Sequence, residues 1–284
     1  MANLKEIRSR ISSVNSTMQI TSAMKMVSAA KLKKAQDAII AMRPYSEKLT
    51  QLLQNLSQNV QDDFQSPFLK NREIRNTLLV TITSNRGLCG GFNSNIVKAV
   101  KERASIDDTN VSILTIGKMG NDALKKEFDI KSHYTEIYDD LSFKNSSIIS
   151  EKIVEGFLDN KYDKVYLVYN KFKNAATQIV EFEQFLPLIP KAEKNIDKKD
   201  YIFEPEINKV LSSLIPKTLK IQLFKAIKDS FASEHGARMT AMHKATDNAT
   251  ELRDQLKLTY NKARQASITN EILEIVGGAE ALKN

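Results

Sequence analysis

The chain has 284 residues, 42% of them hydrophobic and 27% charged, with a net charge of +8 at neutral pH. That composition lies in the range of folded water-soluble proteins and argues against global disorder. One cysteine, Cys89, excludes an intrachain disulfide, and three scattered histidines (His133, His235, His243) outside any H-E-x-x-H pattern give no basis for a metal site.

The charge is unevenly placed. Residues 1–56 carry nine Lys/Arg against three Asp/Glu, residues 207–284 twelve against eight, and the middle twenty-one against twenty-three. The basic excess therefore belongs to the two ends, which face either solvent or something anionic. No apolar run approaches the length of a membrane span. The basic N-terminus lacks a secretory h-region and runs on into a helical pattern, so it reads as structure rather than as a targeting segment.

From Asn3 to Leu56 there is no Gly and one Pro, Pro44. Leu4, Ile7, Ile11, Val14 and Met18 step by three and four, and Met24, Val27 and Leu32 extend the stripe, with Ala23, Ala29 and Ala30 beside it. The spacing predicts a long helix with a coiled-coil seam, kinked near Pro44. Gln58–Pro67 reads as a polar loop.

The middle alternates strand and helix signals in the manner of a Rossmann-like α/β domain with a mostly parallel sheet. Strands are expected at Thr77–Thr83, Val111–Ile116, Lys164–Phe172 and Gln178–Leu186. Helices are expected at Phe92–Arg103, Gly117–Phe128 and Ser146–Leu158. The short turn between the last two strands predicts an antiparallel edge. Lys191–Asp200 reads as a charged loop, and Tyr201–Pro205 as the lead into a short helix, Ile207–Leu214.

Pro216 then occupies a position that suits the first turn of a new helix. From Lys217 to Val276 there is no Pro and a single Gly, Gly236. At 1.5 Å per residue this stretch would span about 85–90 Å, far beyond an ordinary globular helix. Ala249, Leu252, Leu256, Thr259, Ala263 and Ala266 step by three and four again, so the two terminal helices are expected to pair as an antiparallel coiled coil. The implied division is a helix over 1–57, an α/β domain over 75–205 and a second long helix over 206–284.

Chemical motifs are sparse. Ser84–Asn93 (SNRGLCGGFN) sits between a strand and a helix, where phosphate-cradling loops occur. It matches neither G-x-x-x-x-G-K-[ST] nor G-x-G-x-x-G, and it reads better as a tight turn packing helix against sheet. Cys89 beside Arg86 is open to two readings, a reactive thiol or a small buried residue. The acidic pairs Asp107–Asp108 and Asp139–Asp140 lie in apparent loops. No Ser/His/Asp or Cys/His set suggests catalysis. The Lys25–Lys34 basic cluster lacks the aromatic interleaving of a nucleic-acid surface.

Residues 5–36 (KEIRSRISSVNSTMQITSAMKMVSAAKLKKAQ) closely resemble the opening helix of the gamma subunit of F-type ATP synthases. Residues 233–248 (SEHGARMTAMHKATDN) and 260–278 (YNKARQASITNEILEIVGG) resemble its C-terminal helix, and Ser84–Asn93 its Gly-rich turn. The similarity spans the chain and is weakest across residues 105–200. It implies a non-catalytic rotor shaft within three alpha and three beta subunits, which carry the catalysis. The foot would rest, with the epsilon subunit, on a membrane-embedded c-ring. The chain would then bind no nucleotide, metal or nucleic acid, and would lie peripherally on the cytoplasmic face of the cell membrane.

By position, the resemblance makes Met24 and Lys25 contacts for the acidic lever of a beta subunit. It makes Arg238, Arg264, Gln265 and Thr269 polar contacts for beta-subunit loops, and Phe203 and Glu204 contacts for the c-ring. Four of them have a plainer alternative: Met24 as seam packing, Arg264 and Gln265 as solvated surface, Phe203 as a core residue at a strand end. Ser22 stands where relatives often carry a basic residue, and Asn85 where an acid is common. The Cys-bearing regulatory insertion of the chloroplast form is absent.

Overall fold

The computed structural model describes residues 4–59, 67–68, 72–107, 109–188 and 207–281. The expected loops at Gln58–Pro67 and Lys191–Asp200 and the segment Tyr201–Pro205 fall largely or wholly outside those residues. Two long helices, α1 (Leu4–Asn59) and α5 (Ile207–Ala281), flank a five-stranded domain. Its elements are β1 (Asn76–Ile82), α2 (Phe92–Ile106), β2 (Asn110–Ile116), α3 (Lys118–Leu124), β3 (Ile130–Tyr134), α4 (Phe143–Leu158), β4 (Lys164–Phe172) and β5 (Gln178–Leu186).

The chain forms two compact units. One runs from Ala29 to Arg238; the other takes α1 up to Ser28 and α5 from Met239 onward.

In the larger unit the strand order is β3-β2-β1-β4-β5, parallel except for the antiparallel pair β4·β5. β1 is central and buried along six of its seven residues. That is why it reads as an unbroken apolar and β-branched run rather than an alternation. On one face Leu79, Ile113 and Val168 pack with Ile96 and Val100 of α2 and Leu124 of α3. On the other face Leu78, Val80 and Ile82 meet Ile149, Ile153 and Phe157 of α4 and Leu219, Leu223 and Ile227 of α5. Ser142 caps α4, its side chain accepting from the Asn145 N–H.

Gly117, between β2 and α3, has φ 105°, and a Cβ there would lie 2.1 Å from the Thr83 carbonyl oxygen. Only glycine permits that approach.

In the smaller unit α1 and α5 pair antiparallel. The Arg8 guanidinium donates to the Tyr260 hydroxyl at 3.2 Å, the Thr250 hydroxyl lies 3.4 Å from Met18 Sδ, and the Thr21 and Thr246 hydroxyls share a 2.8 Å hydrogen bond.

Several sequence expectations need correction. β3 was not anticipated, because IKSHY carries too few apolar residues to signal a strand; its burial alternates at a sheet edge. The helix expected to reach Phe128 ends at Leu124. Ile207–Leu214 is not a separate short helix, since α5 passes through Pro216 without a break. α1 likewise continues through Pro44.

The seam also differs. Val27, Leu252, Thr259 and Ala266 are exposed. On α1 the covered positions of the smaller unit include Ile7, Ile11, Val14, Met18, Thr21, Lys25 and Ser28. On α5 they are Met242, Thr246, Ala249, Arg253, Leu256, Tyr260, Ala263 and Ser267. Both series keep a strict alternation of three and four, the heptad of a supercoiled pair. Part of the seam is thus polar, so following hydrophobicity alone drifts off it.

Candidate functional site

Two regions carry the sequence-derived candidates, and each lies within a single unit.

The first is the far end of α5. Arg264, Gln265 and Thr269 are exposed. The Thr269 hydroxyl donates to the Gln265 carbonyl at 2.9 Å, one turn back. Around them Ile268, Ile272, Leu273, Ile275 and Val276 are each about half exposed or more. Five large aliphatic side chains within nine residues of one helix make a surface that needs cover, and among the described residues none supplies it. On α1 of the same unit, Met24 and Lys25 are half-buried, with Ile20, Met26 and Val27 exposed nearby.

The second region is the Gly-rich turn after β1. Asn93 Oδ1 accepts from the Ser84 N–H at 3.0 Å, and the Ser84 hydroxyl donates to the Arg86 carbonyl at 2.7 Å. The Asn85 side chain donates to the Thr135 carbonyl at 2.8 Å and accepts from the Lys118 N–H at 3.0 Å. A neutral amide can do both, whereas a carboxylate could only accept. Cys89 is buried, packed with Phe92 and Ala237. Burial, the largest influence, pushes its thiol pKa up. The reactive-thiol reading therefore fails, because nucleophilicity needs thiolate.

Arg238 is turned inward rather than presented for a partner. Its side chain and that of Glu234 are each less than a tenth exposed, and they pair at 2.8 Å. The guanidinium also donates to the carbonyls of Arg86 (3.0 Å) and Gly87 (3.3 Å). The turn thus offers carbonyl oxygens to a cation, the reverse of the N–H cradle that a phosphate requires.

His235 lies beside this cluster, its ring edge-on to Phe231 at 4.5 Å and its Nδ1 3.4 Å from Arg238 Nη1. Burial, then the charges of Arg238 and Lys31, bring its pKa down to about 3. A neutral ring can accept the Arg238 N–H at Nδ1; a protonated one would oppose donor to donor. Glu234 is pushed above the usual carboxylate range by burial, which Arg238 partly offsets.

Beside the turn, α2 and α3 frame a cleft of about 620 Å³ walled by Leu88, Val97, Met119 and Ala123. Its rim charges are paired within the chain, Lys98 with Glu102 and Lys101 with Glu127.

Sequence reasoning named Arg238 but not its bracing role, and missed Glu234 and His235 as its companions. The spacing Glu234–Arg238, i to i+4, was the available signal for an ion pair. Phe203 and Glu204 lie outside the described residues. No helix among the described residues is long and apolar enough to cross a membrane.

An antiparallel helix pair, a mostly parallel α/β domain that the chain inserts between its two long helices, and an exposed aliphatic end of α5 have the character of an assembly subunit. The ATP synthase family model matches residues 3–282. The ATP synthase gamma chain of Christiangramia forsetii is 67% identical over 284 residues, covering 99% of both chains. That of Flavobacterium johnsoniae is 64% identical with the same coverage. Among solved structures, the central stalk and c-ring of Tetrahymena thermophila mitochondrial ATP synthase includes a chain of TM-score 0.62 and 29% identity. The match covers 80% of this chain and 99% of that one. The chain belongs to the ATP synthase gamma-chain family, and it is a central-stalk subunit of such a complex.

Proposed function

We propose that this chain turns as the central rotor between an ion-driven c-ring and the catalytic head, and that it contributes no catalytic group itself. ATP is made or hydrolysed on the beta subunits, and the chain lies peripherally on the cytoplasmic face of the cell membrane. Its partners are the alpha, beta and epsilon subunits and the c-ring.

The exposed end of α5 carries this reading. Its aliphatic residues from Ile268 to Val276 fit an apolar sleeve. Arg264, Gln265 and Thr269 on the same stretch form polar contacts with beta-subunit loops. Many shallow contacts suit a surface that must release and re-engage at each step better than a few deep anchors do. Met24 and Lys25 on α1 meet the lever of a beta subunit, and Phe203 and Glu204 touch the c-ring. Arg238 drops out of the contact set, because its guanidinium is already held inside the domain.

Affinity purification of the tagged chain from membranes of its own host tests the assembly. Alpha and beta subunits should co-purify in quantity. Recovery of the chain without them would refute the rotor assignment.

A further inference from the structure

In this sheet the strand order reverses beside β1, so the carboxyl ends of β1 and β4 flank a topological switch point. In doubly wound folds that crevice takes the ligand. Here one turn of α5, Glu234–Arg238, reaches the connections that leave both strands. At Gly236 a Cβ would come within 3.2 Å of Ala175 Cα, in the β4–β5 connection. Ala237 packs on Cys89 and Phe92, and Arg238 holds the carbonyls of Arg86 and Gly87. Asn170, buried at the end of β4, donates to the Phe92 carbonyl at 2.9 Å and ties the two sides together.

Below this turn, Gln222 donates to Glu183 Oε1 (2.8 Å) and to the Gln184 carbonyl (3.1 Å), and much of the rest of the hold on α5 comes from aliphatic contacts of Leu219, Leu223 and Ile227. Such contacts resist separation but are non-directional, so they oppose rotation of a helix about its own axis only through shape. A planar guanidinium bonded to two successive carbonyls is different: it fixes an angle as well as a distance. Glu234 sets the opposite side of the same fork.

We propose that the Glu234–Arg238 turn is the torque splice of the rotor, and that Arg238 is a positioning residue that fixes the angle of α5 against the α/β domain. The proposal rests on the rotor reading above. It predicts that weakening the fork softens the rotor in torsion before it impairs assembly or hydrolysis.

The assembled complex provides the test. Lys126→Cys places a thiol on the exposed surface after α3, while the native Cys89 is buried and stays unlabelled. A bead is attached there, the head is immobilised by its beta subunits, and angular fluctuations are recorded in the nucleotide-stalled state. Arg238→Lys keeps a cation beside Glu234 but replaces the rigid planar fork with a compact ammonium on a flexible stem, which fixes no angle. It should assemble and hydrolyse ATP like the parent while its angular variance rises roughly two-fold, for the loss of the bidentate geometry. Arg238→Ala should broaden the distribution further.

Unchanged angular variance in Arg238→Lys, with assembly intact, would overturn the splice. Should Arg238→Ala not assemble, Arg238→Lys alone decides the question. Failure of the parent chain to recover alpha and beta subunits is a separate outcome that removes the rotor reading before any variant is compared.

Discussion

Arg238→Met isolates the energetic weight of the buried pair. The substitution keeps most of the side-chain volume and removes the cation. It leaves the Glu234 carboxylate, less than a tenth exposed, without its partner at 2.8 Å, and the carbonyls of Arg86 and Gly87 without their donor. Removing one member of a buried pair costs about 3–5 kcal/mol. Burial already raises the Glu234 pKa and Arg238 lowers it, so the variant's carboxyl should titrate higher still. For a group whose folded pKa is raised, the penalty appears as pH rises through that folded value and fades below the unfolded one. The cost of Arg238→Met should therefore be largest near pH 8 and shrink towards pH 5. Glu234→Gln leaves the guanidinium bonded to both carbonyls and should cost only about 1–2 kcal/mol. The double variant should then be less destabilised than the two singles added, by about 2 kcal/mol or more. Urea unfolding of the full chain, followed by far-ultraviolet circular dichroism at both pH values, measures all of this. A loss below about 1 kcal/mol for Arg238→Met at pH 8 would refute the account, since it falls short of a buried unpaired charge.

Three further outcomes follow from the same structure. Gly117→Ala should cost at least about 3 kcal/mol in the same assay, because it combines a disfavoured positive φ with a clash against the Thr83 carbonyl; near-normal stability would refute the tight approach. His235 is held neutral with a pKa of about 3, so its contribution is complete above the unfolded value near 6.5 and is lost as pH falls between the two. Relative to His235→Gln, the parent should lose about 1.4 kcal/mol per pH unit below 6.5, and parallel pH profiles would contradict that. The exposed pair Arg264→Ala with Gln265→Ala should leave the stability of the isolated chain unchanged. It should slow ATP hydrolysis by the assembled complex roughly ten-fold, for the loss of polar contacts worth about 1–2 kcal/mol. Parental turnover would remove those residues from the working interface.

Much of this architecture was legible because it rests on local pattern. β4 and β5 match the sequence expectation residue for residue, since their β-branched and aromatic runs are bounded by turn residues. The gap of five residues between them implied their antiparallel pairing. The terminal stretches signalled long helices by pairing scarce Gly and Pro with apolar steps of three and four. β3 was illegible because an edge strand of five mixed residues acquires its conformation from its neighbour β2 rather than from its own propensity.

The coiled-coil register divides along the same line. Sequence alone determined that the seam exists and begins at Ile7, Ile11, Val14 and Met18, since apolar residues mark it there. Which face closes was decided by tertiary pairing: Thr21 with Thr246 beyond that point, and Arg8 with Tyr260 near the start of α1. Polar residues can occupy a seam when they satisfy one another, and hydrophobic periodicity cannot see that. Arg238 is the sharper case. An arginine on a helix looks free in one dimension, and only the folded chain brings the Arg86 and Gly87 carbonyls, some 150 positions away, to meet it. Local propensity specifies the elements; the burial of charge, and the partners it then requires, is settled by the packing of distant segments.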